Sequence, residues 1–242
     1  MTLLGTSGAA RSRAAALVVT LFVAIAAWNT TLNTLLARSG LASAMKIAYE
    51  PTLPLTTLGA VGGLTAATVT VAVTLAALAR TFAPESNALG TSETVGRTAL
   101  AYARAVVVAV GGAVAAAVGL ALLVVPGLVV LVHLPLVFVA VAADGEPIGR
   151  AVERSWTRAG GSRGRIAAVG LAIVAVPLSL AVIATLTALL PPLVELALGV
   201  LVTAVACTAG VAAFVALADS MDDSNGGASR TDRVSPTTSR QL

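Results

Sequence analysis

The chain has 242 residues, of which 57% are hydrophobic and only 11% are charged, and its mean hydropathy is +0.96. Soluble domains usually carry about 25% charged residues, so this composition excludes a protein whose surface is mainly exposed to water. The net charge is +4, but the basic residues lie at the edges of long apolar segments. That position indicates a membrane surface, and not nucleic acid, as their partner.

Residue types that commonly bind metals are scarce in this sequence. It contains one cysteine, Cys207, and one histidine, His133. Most zinc sites need several Cys or His ligands, so we expect no zinc site, and no motif indicates another cofactor. Every basic residue except Lys46 is arginine, a bias typical of GC-rich prokaryotic genomes, so we expect a prokaryotic source.

Long uncharged windows recur along the chain. A helix needs about 20 apolar residues to cross the hydrocarbon of a bilayer, and several windows are at least that long. They lie between Arg13 and Arg38, Glu50 and Arg80, Arg104 and Asp144, Arg165 and Glu195, and Glu195 and Asp219. The third window is about twice the required length. Pro126-Gly127 interrupts it, which predicts a break between two helices.

These windows predict an all-α, polytopic integral membrane protein with about six transmembrane helices in three hairpins. Pro191-Pro192 separates the last two helices as Pro126-Gly127 separates the middle two. The predicted spans are 14–36, 55–79, 104–125, 127–143, 166–189 and 193–217. One or two basic segments between them, before the third and fifth spans, are predicted to be interfacial helices.

Basic residues are distributed unevenly between the two ends of these spans. One end carries only Arg38 and Lys46. The other end carries Arg11, Arg13, Arg80, Arg97, Arg104, Arg150, Arg154, Arg158, Arg163, Arg165, Arg230, Arg233 and Arg240. Because short cytoplasmic loops are enriched in Lys and Arg, we expect a cell-membrane protein with both termini in the cytoplasm.

The first and last segments each carry a further prediction. The first apolar run follows two arginines and contains Ala24-Ile25-Ala26, so it also fits a cleaved secretory signal. Its apolar face continues to Leu36, which favours a retained span. Composition becomes polar after Leu217, so we expect a six-helix transmembrane domain over 1–218 and a disordered cytoplasmic tail over 219–242.

Residues 146–158 predict an amphipathic helix at the membrane surface. Ile148, Val152 and Trp156 fall four apart and share one face, whereas arginines at the same spacing share another. Such a helix is typical of the lipid headgroup layer. One interpretation is contact with anionic lipid headgroups or a phosphate-bearing ligand, and the simpler one is a topology anchor. The residues assigned to headgroup contact are Arg150, Arg154, Trp156, Arg158 and Arg165.

His133 lies near the middle of the fourth predicted span. An ionisable group at that depth is a functional candidate by default, as a proton relay or a ligand contact. No acidic residue is predicted at a similar depth in another span. A neutral histidine hydrogen-bonded to a neighbouring helix is therefore the simpler interpretation.

The stretch 126–165 resembles a known membrane-domain family. The residues that match are Pro126-Gly127, Asp144-Gly145-Glu146, Ala151, Arg154-Ser155-Trp156, Gly161 and Arg165. They resemble the membrane domain that is fused to some glycerophosphodiester phosphodiesterases, and its stand-alone relatives of unknown function in bacteria and archaea. The resemblance implies a six-helix membrane domain and not diester hydrolysis, which belongs to a separate soluble barrel. His133 departs from the arginine that many members carry.

Two classes of function are compatible with these patterns. The sequence offers neither a nucleophile–base pair nor paired mid-membrane acids, so we expect no enzymatic activity. The first hypothesis is a membrane protein that organises lipids, in particular anionic ones, or a protein partner. The alternative is a small transporter or channel-like protein, which His133 and the proline-broken hairpins favour.

Overall fold

The computed structural model describes residues 8–40, 51–83, 94–122, 124–160, 182, 185–186 and 190–231. Within these residues the regular structure is entirely helical. The main helices are α1 Gly8–Arg38, α2 Thr57–Phe82, α3 Thr94–Leu122, α4 Val124–Ala142, α5 Ile148–Gly160 and α6 Pro192–Thr231. The all-α prediction is therefore confirmed for the part of the chain that is described.

Four of these helices are long and apolar enough to cross a membrane. The segments that qualify are Arg11–Arg38, Thr57–Phe82, Gly96–Leu122 and Pro192–Ser220. The apolar part of α4 is shorter, Pro126–Ala142, and measures about 25 Å at the helical rise per residue. The predicted span 166–189 lies outside the described residues except for Val182, Thr185 and Leu186, which are helical.

Much of the apolar surface of these helices is not covered by protein. Leu58 on α2 is 83% exposed, and Leu122 at the end of α3 is 76% exposed. Soluble proteins rarely expose large contiguous apolar surfaces, whereas a bilayer can cover them with lipid tails. The exposed surface and the four long apolar helices are thus compatible with a membrane protein.

The ends of the helices follow local sequence chemistry. The Oγ1 atom of Thr56 accepts a hydrogen bond from the backbone N–H of Gly59 at 3.1 Å and caps α2. The predicted break at Pro126-Gly127 is wrong by a few residues, since α3 ends at Leu122 and α4 begins at Val124. Pro126 lies in the first turn of α4, where backbone N–H groups have no intrahelical acceptor and proline is tolerated.

The last helix is longer than the sequence predicts. α6 continues through the expected boundary at residue 219 and ends at Thr231, while 232–242 lie outside the described residues. The segment 219–231 is polar and offers little to bury. Its helical backbone reflects the fact that an existing helix propagates more readily than a new one nucleates. The division into a domain and a disordered tail stays a prediction.

Two buried clusters hold the helices together. One joins α1, α2 and α6 through Leu21, Leu78 and Val200. The other surrounds the C-terminal half of α4, from Val137 to Ala143, with residues of α2, α3, α5 and α6 packed against it. α4 is therefore the central helix of the described part of the chain.

α2, α4 and α6 run in the same direction. The Nε atom of Arg80, near the end of α2, donates a hydrogen bond to the carbonyl oxygen of Ala142, at the end of α4. A cavity of about 250 Å³ beside this contact is lined by Ala83, Ala143 and Ala218. The C-terminal ends of α2 and α4 therefore lie beside the later part of α6. We call this region, which contains Arg80, the basic end.

Candidate functional site

α3, α4 and α5 border a cavity of about 360 Å³ that is open on one side. Its wall is formed by Val107, Val108, Gly111, Gly112 and Ala115 of α3, by Val129, Val130, His133, Leu134 and Val137 of α4, and by Ile148, Val152 and Trp156 of α5. Among the described residues of this wall, only His133 and Trp156 contribute polar side-chain atoms. The volume falls within the range of small-molecule pockets.

Small residues allow α3 and α4 to approach closely next to this cavity. A Cβ atom built on Gly119 would lie 2.8 Å from the Cα atom of Gly127, so neither position has room for a side chain. At Gly111, in contrast, an added Cβ would meet no atom within 4 Å. The helices are thus in backbone contact near the connection at residue 123 and leave unfilled space beside Gly111.

His133 and Trp156 are stacked on each other at the cavity wall. Their ring centroids lie 4.4 Å apart and the ring planes differ by 25°. The sequence assigns His133 to a transmembrane helix and Trp156 to the headgroup layer, and the structure brings the two rings together. Contact between Trp156 and lipid headgroups stays a prediction, whereas the contact between its ring and His133 is part of the structure.

The hydrogen bonding of His133 differs from the prediction. Its Nδ1 atom lies 2.9 Å from the carbonyl oxygen of Val129, one turn earlier on the same helix and not on a neighbouring one. A carbonyl oxygen only accepts, so this contact assigns a proton to Nδ1, and in the tautomer that carries its single proton there the Nε2 atom is an acceptor. The Nε2 atom is buried and has no hydrogen-bond partner among the residues that the structure describes.

α5 has a buried face as well as the apolar face that lines the cavity. Ala151 is 1% exposed and Ser155 is 2% exposed, whereas Trp156 is 56% exposed. This face was not predicted from the sequence, because alanine and serine are weak apolar signals. Their spacing from Ile148, three and then four residues, is the helical pattern that could have indicated it.

Arg154 is held within the protein by two carboxylates. Its Nη1 atom lies 2.5 Å from Oε1 of Glu146 and 3.5 Å from Oδ2 of Asp144. Gly145, between these acids, has a φ of 69°, which favours glycine and turns the chain from α4 into α5. Arg154 therefore differs from the other arginines that the sequence analysis assigned to lipid headgroups.

The remaining arginines of that set are distributed differently. The Arg150 side chain is exposed on the first turn of α5. Arg158 lies in the last turn of the same helix, and Arg165 lies outside the described residues. The structure therefore separates Arg150, which is free to face the surroundings of the protein, from the ion-paired Arg154.

Arg80 is a structural residue that sequence analysis treated only as a charge. Besides its bond to Ala142, its guanidinium lies over the ring of Tyr102 at 4.8 Å from the centroid. It thus joins α2, α3 and α4 at the basic end. No sequence signal distinguishes it from the other arginines there. Among the described residues, no group of three or more His, Cys, Asp or Glu could hold a metal ion.

The fold and this site define an all-helical protein with four candidate membrane spans and an apolar cavity beside an amphipathic helix. No family model, curated protein or solved structure matches the chain. The resemblance of 126–165 to the phosphodiesterase-associated membrane domain therefore stays a prediction.

Proposed function

We propose that this chain is a multi-pass cell-membrane protein that organises lipid at the cytoplasmic side of the bilayer and catalyses no reaction. The observation that carries this proposal is the construction of α5. Ala151 and Ser155 anchor the helix in the protein, while Arg150 is exposed beside them. An anchored helix that presents a cation beside exposed apolar helices is suited to contact with anionic headgroups.

The directions of the helices support six spans in three hairpins. α4 ends at the basic end, and α6 begins at the opposite end because it runs in the same direction as α4. If both helices cross the bilayer, the chain must cross it once more between Gly160 and Pro192. The predicted span 166–189 supplies this crossing, and the excess of arginine at the basic end supports its placement in the cytoplasm.

The proposed membership in the phosphodiesterase-associated membrane-domain family rests on the motif around α5. Three consecutive residues of that motif each have a distinct role here. Arg154 pairs with the turn before α5, Ser155 is buried, and Trp156 stacks on His133. These three roles all fix α5 against the rest of the protein, which supports a fold shared with that family. They do not imply diester hydrolysis.

The double substitution Arg150→Gln with Arg158→Gln tests the proposal. Each arginine near an anionic surface contributes about 1 kcal/mol, so we expect roughly thirtyfold weaker association with anionic lipid. The measurement is native mass spectrometry of purified protein with phosphatidylglycerol and phosphatidylcholine. The difference between wild type and variant should shrink at high salt, because salt screens exposed charges.

Two matched variants accompany this measurement. Arg233→Gln with Arg240→Gln removes the same charge from the polar C-terminal segment and should leave lipid binding unchanged. Arg154→Gln should lower thermal stability more than lipid binding, because its partners are Asp144 and Glu146. Equal retention of anionic lipid by wild type and the Arg150/Arg158 variant would contradict the proposal and reduce these arginines to topology signals.

A small transporter is the second candidate function. The observation that favours it is the buried, unpartnered Nε2 atom of His133 beside a cavity, since ionisable groups inside the membrane mark transport pathways. A proton-coupled flux in proteoliposomes that is lost in His133→Gln, at unchanged protein levels, would favour this candidate over lipid organisation.

A further inference from the structure

We propose that the cavity between α3, α4 and α5 binds one neutral lipid of the diacylglycerol class, whose free hydroxyl donates a hydrogen bond to Nε2 of His133. This site goes beyond the proposed contact between anionic headgroups and the arginines of α5. It is formed by different residues, and its occupant carries no charge.

The polarity of the cavity determines the polarity of its occupant. Of the thirteen described residues in the wall, eleven are aliphatic or glycine, and none of the thirteen is an acid, a lysine or an arginine. Burial of an unpaired phosphate among such residues would be unfavourable. A neutral molecule with long apolar chains matches this wall, and lipid is the abundant source of such chains around an exposed apolar surface.

The hydrogen-bonding state of His133 determines the one polar group that the occupant needs. The Nδ1 proton is directed to the carbonyl of Val129, so Nε2 requires a donor. Ester carbonyls only accept hydrogen bonds, whereas a hydroxyl donates. The lipid must therefore carry a free hydroxyl in addition to any ester groups.

Water is a poor alternative partner for this nitrogen. A buried water molecule is usually held by two to four polar groups, and the part of the wall that the structure describes offers only the side chains of His133 and Trp156. A lipid hydroxyl needs a single partner, because the glycerol and the adjoining part of the acyl chains contact the apolar wall and the remaining chain length leaves through the open side of the cavity. The combination of one orphaned acceptor and an otherwise apolar cavity thus favours a lipid alcohol.

Trp156 is the side chain that must move for a lipid to reach the Nε2 atom of His133. Its ring covers the imidazole of His133, and the Nε2 atom is not accessible while the stack is intact. Trp156 itself is 56% exposed, so its ring can swing away without leaving a buried core. Val107 and Val152, which also line the cavity, are exposed as well, which allows a lipid to enter sideways.

The test compares two lipids that differ at the third glycerol position, where one carries a free hydroxyl and the other an acetyl ester. Purified protein carrying Trp28→Phe, which leaves Trp156 as its single tryptophan, is titrated in detergent with 1,2-dioleoylglycerol or with its 3-acetyl ester. We expect one dioleoylglycerol per chain by native mass spectrometry, with a change in Trp156 fluorescence as the stack opens. The acetyl ester should bind roughly tenfold more weakly, because it cannot donate the hydrogen bond.

Two substitutions assign the binding to this cavity. His133→Phe keeps an aromatic ring for the stack but removes the acceptor, so the two lipids should bind with equal affinity. Gly111→Leu fills unoccupied space and should weaken both lipids at least tenfold. Gly62→Leu, on α2, is the matched control, because an added Cβ at that position also meets no atom within 4 Å.

Equal affinity of wild type for dioleoylglycerol and its acetyl ester would overturn the hydroxyl assignment without any variant being needed. Unchanged binding in Gly111→Leu would overturn the location. Neither result affects the proposal for anionic lipid, which depends on Arg150 and Arg158 and is measured with charged lipids. Failure of the two proposals is therefore distinguishable.

Discussion

Gly127→Leu is expected to produce the largest loss of stability of any single substitution considered for this protein. A Cβ atom at Gly127 would overlap the backbone nitrogen of Leu120. Because backbone atoms cannot rotate away, α3 and α4 would have to move apart along their contact. Overpacking of a tight contact usually lowers the free energy of unfolding by about 1 to 3 kcal/mol and sometimes more. We expect the upper end of this range for Gly127→Leu, because the backbone must move.

For a chain of this length, such a loss lowers the melting temperature by roughly 10 °C. The measurement is thermal unfolding of the detergent-solubilised protein, followed by fluorescence. Gly199→Leu on α6 is the matched control, since an added Cβ there meets no atom within 4 Å. Equal melting temperatures for the two variants would mean that α3 and α4 are not in backbone contact.

Arg80→Gln is expected to produce the second largest effect. The substitution removes the hydrogen bond to the carbonyl of Ala142 and the contact with the Tyr102 ring. A hydrogen bond to a charged donor contributes about 1.5 to 3 kcal/mol. The buried Nη2 atom of Arg80 has no hydrogen-bond partner in the described part of the chain, and its removal offsets part of the loss. We expect a net destabilisation of about 1 to 2 kcal/mol.

A double-mutant cycle separates the two contacts of Arg80. Tyr102→Leu removes the aromatic face, and the pair of substitutions should cost about 1 kcal/mol less than the sum of the single ones. Tyr102→Phe retains the ring and serves as the control for the hydroxyl. Strict additivity of Arg80→Gln and Tyr102→Leu would show that the guanidinium does not interact with the ring.

The long helices could be predicted from the sequence because their signal is local. Uncharged length located both ends of α2, the ends of α1 and α3 and the start of α6 to within a few residues, but it placed the starts of α1 and α3 too late, because both helices begin in the basic segments that precede the uncharged windows. The start of α4 was misplaced because proline was taken as a break, although the first turn of a helix tolerates it. The end of α6 was misplaced because a polar composition does not by itself stop an existing helix.

The contacts of the site could not be predicted, because they depend on how helices pack. Periodicity indicated the two faces of α5 but not that Trp156 would meet His133, which lies on another helix. A count of arginines does not distinguish Arg154 from Arg150, whereas the turn at Gly145 brings Asp144 and Glu146 to Arg154. The unpartnered Nε2 atom of His133 likewise follows from tertiary packing and has no sequence signature.

The central claim is that the chain crosses the membrane six times with the basic end in the cytoplasm. Single cysteines at positions 97, 158, 43 and 191, each in a Cys207→Ser background, can be treated with a membrane-impermeant maleimide in intact cells and in permeabilised cells. We expect labelling at positions 43 and 191 in intact cells, and at positions 97 and 158 only after permeabilisation. Labelling of position 158 in intact cells, or protection of position 191 there, would contradict the account.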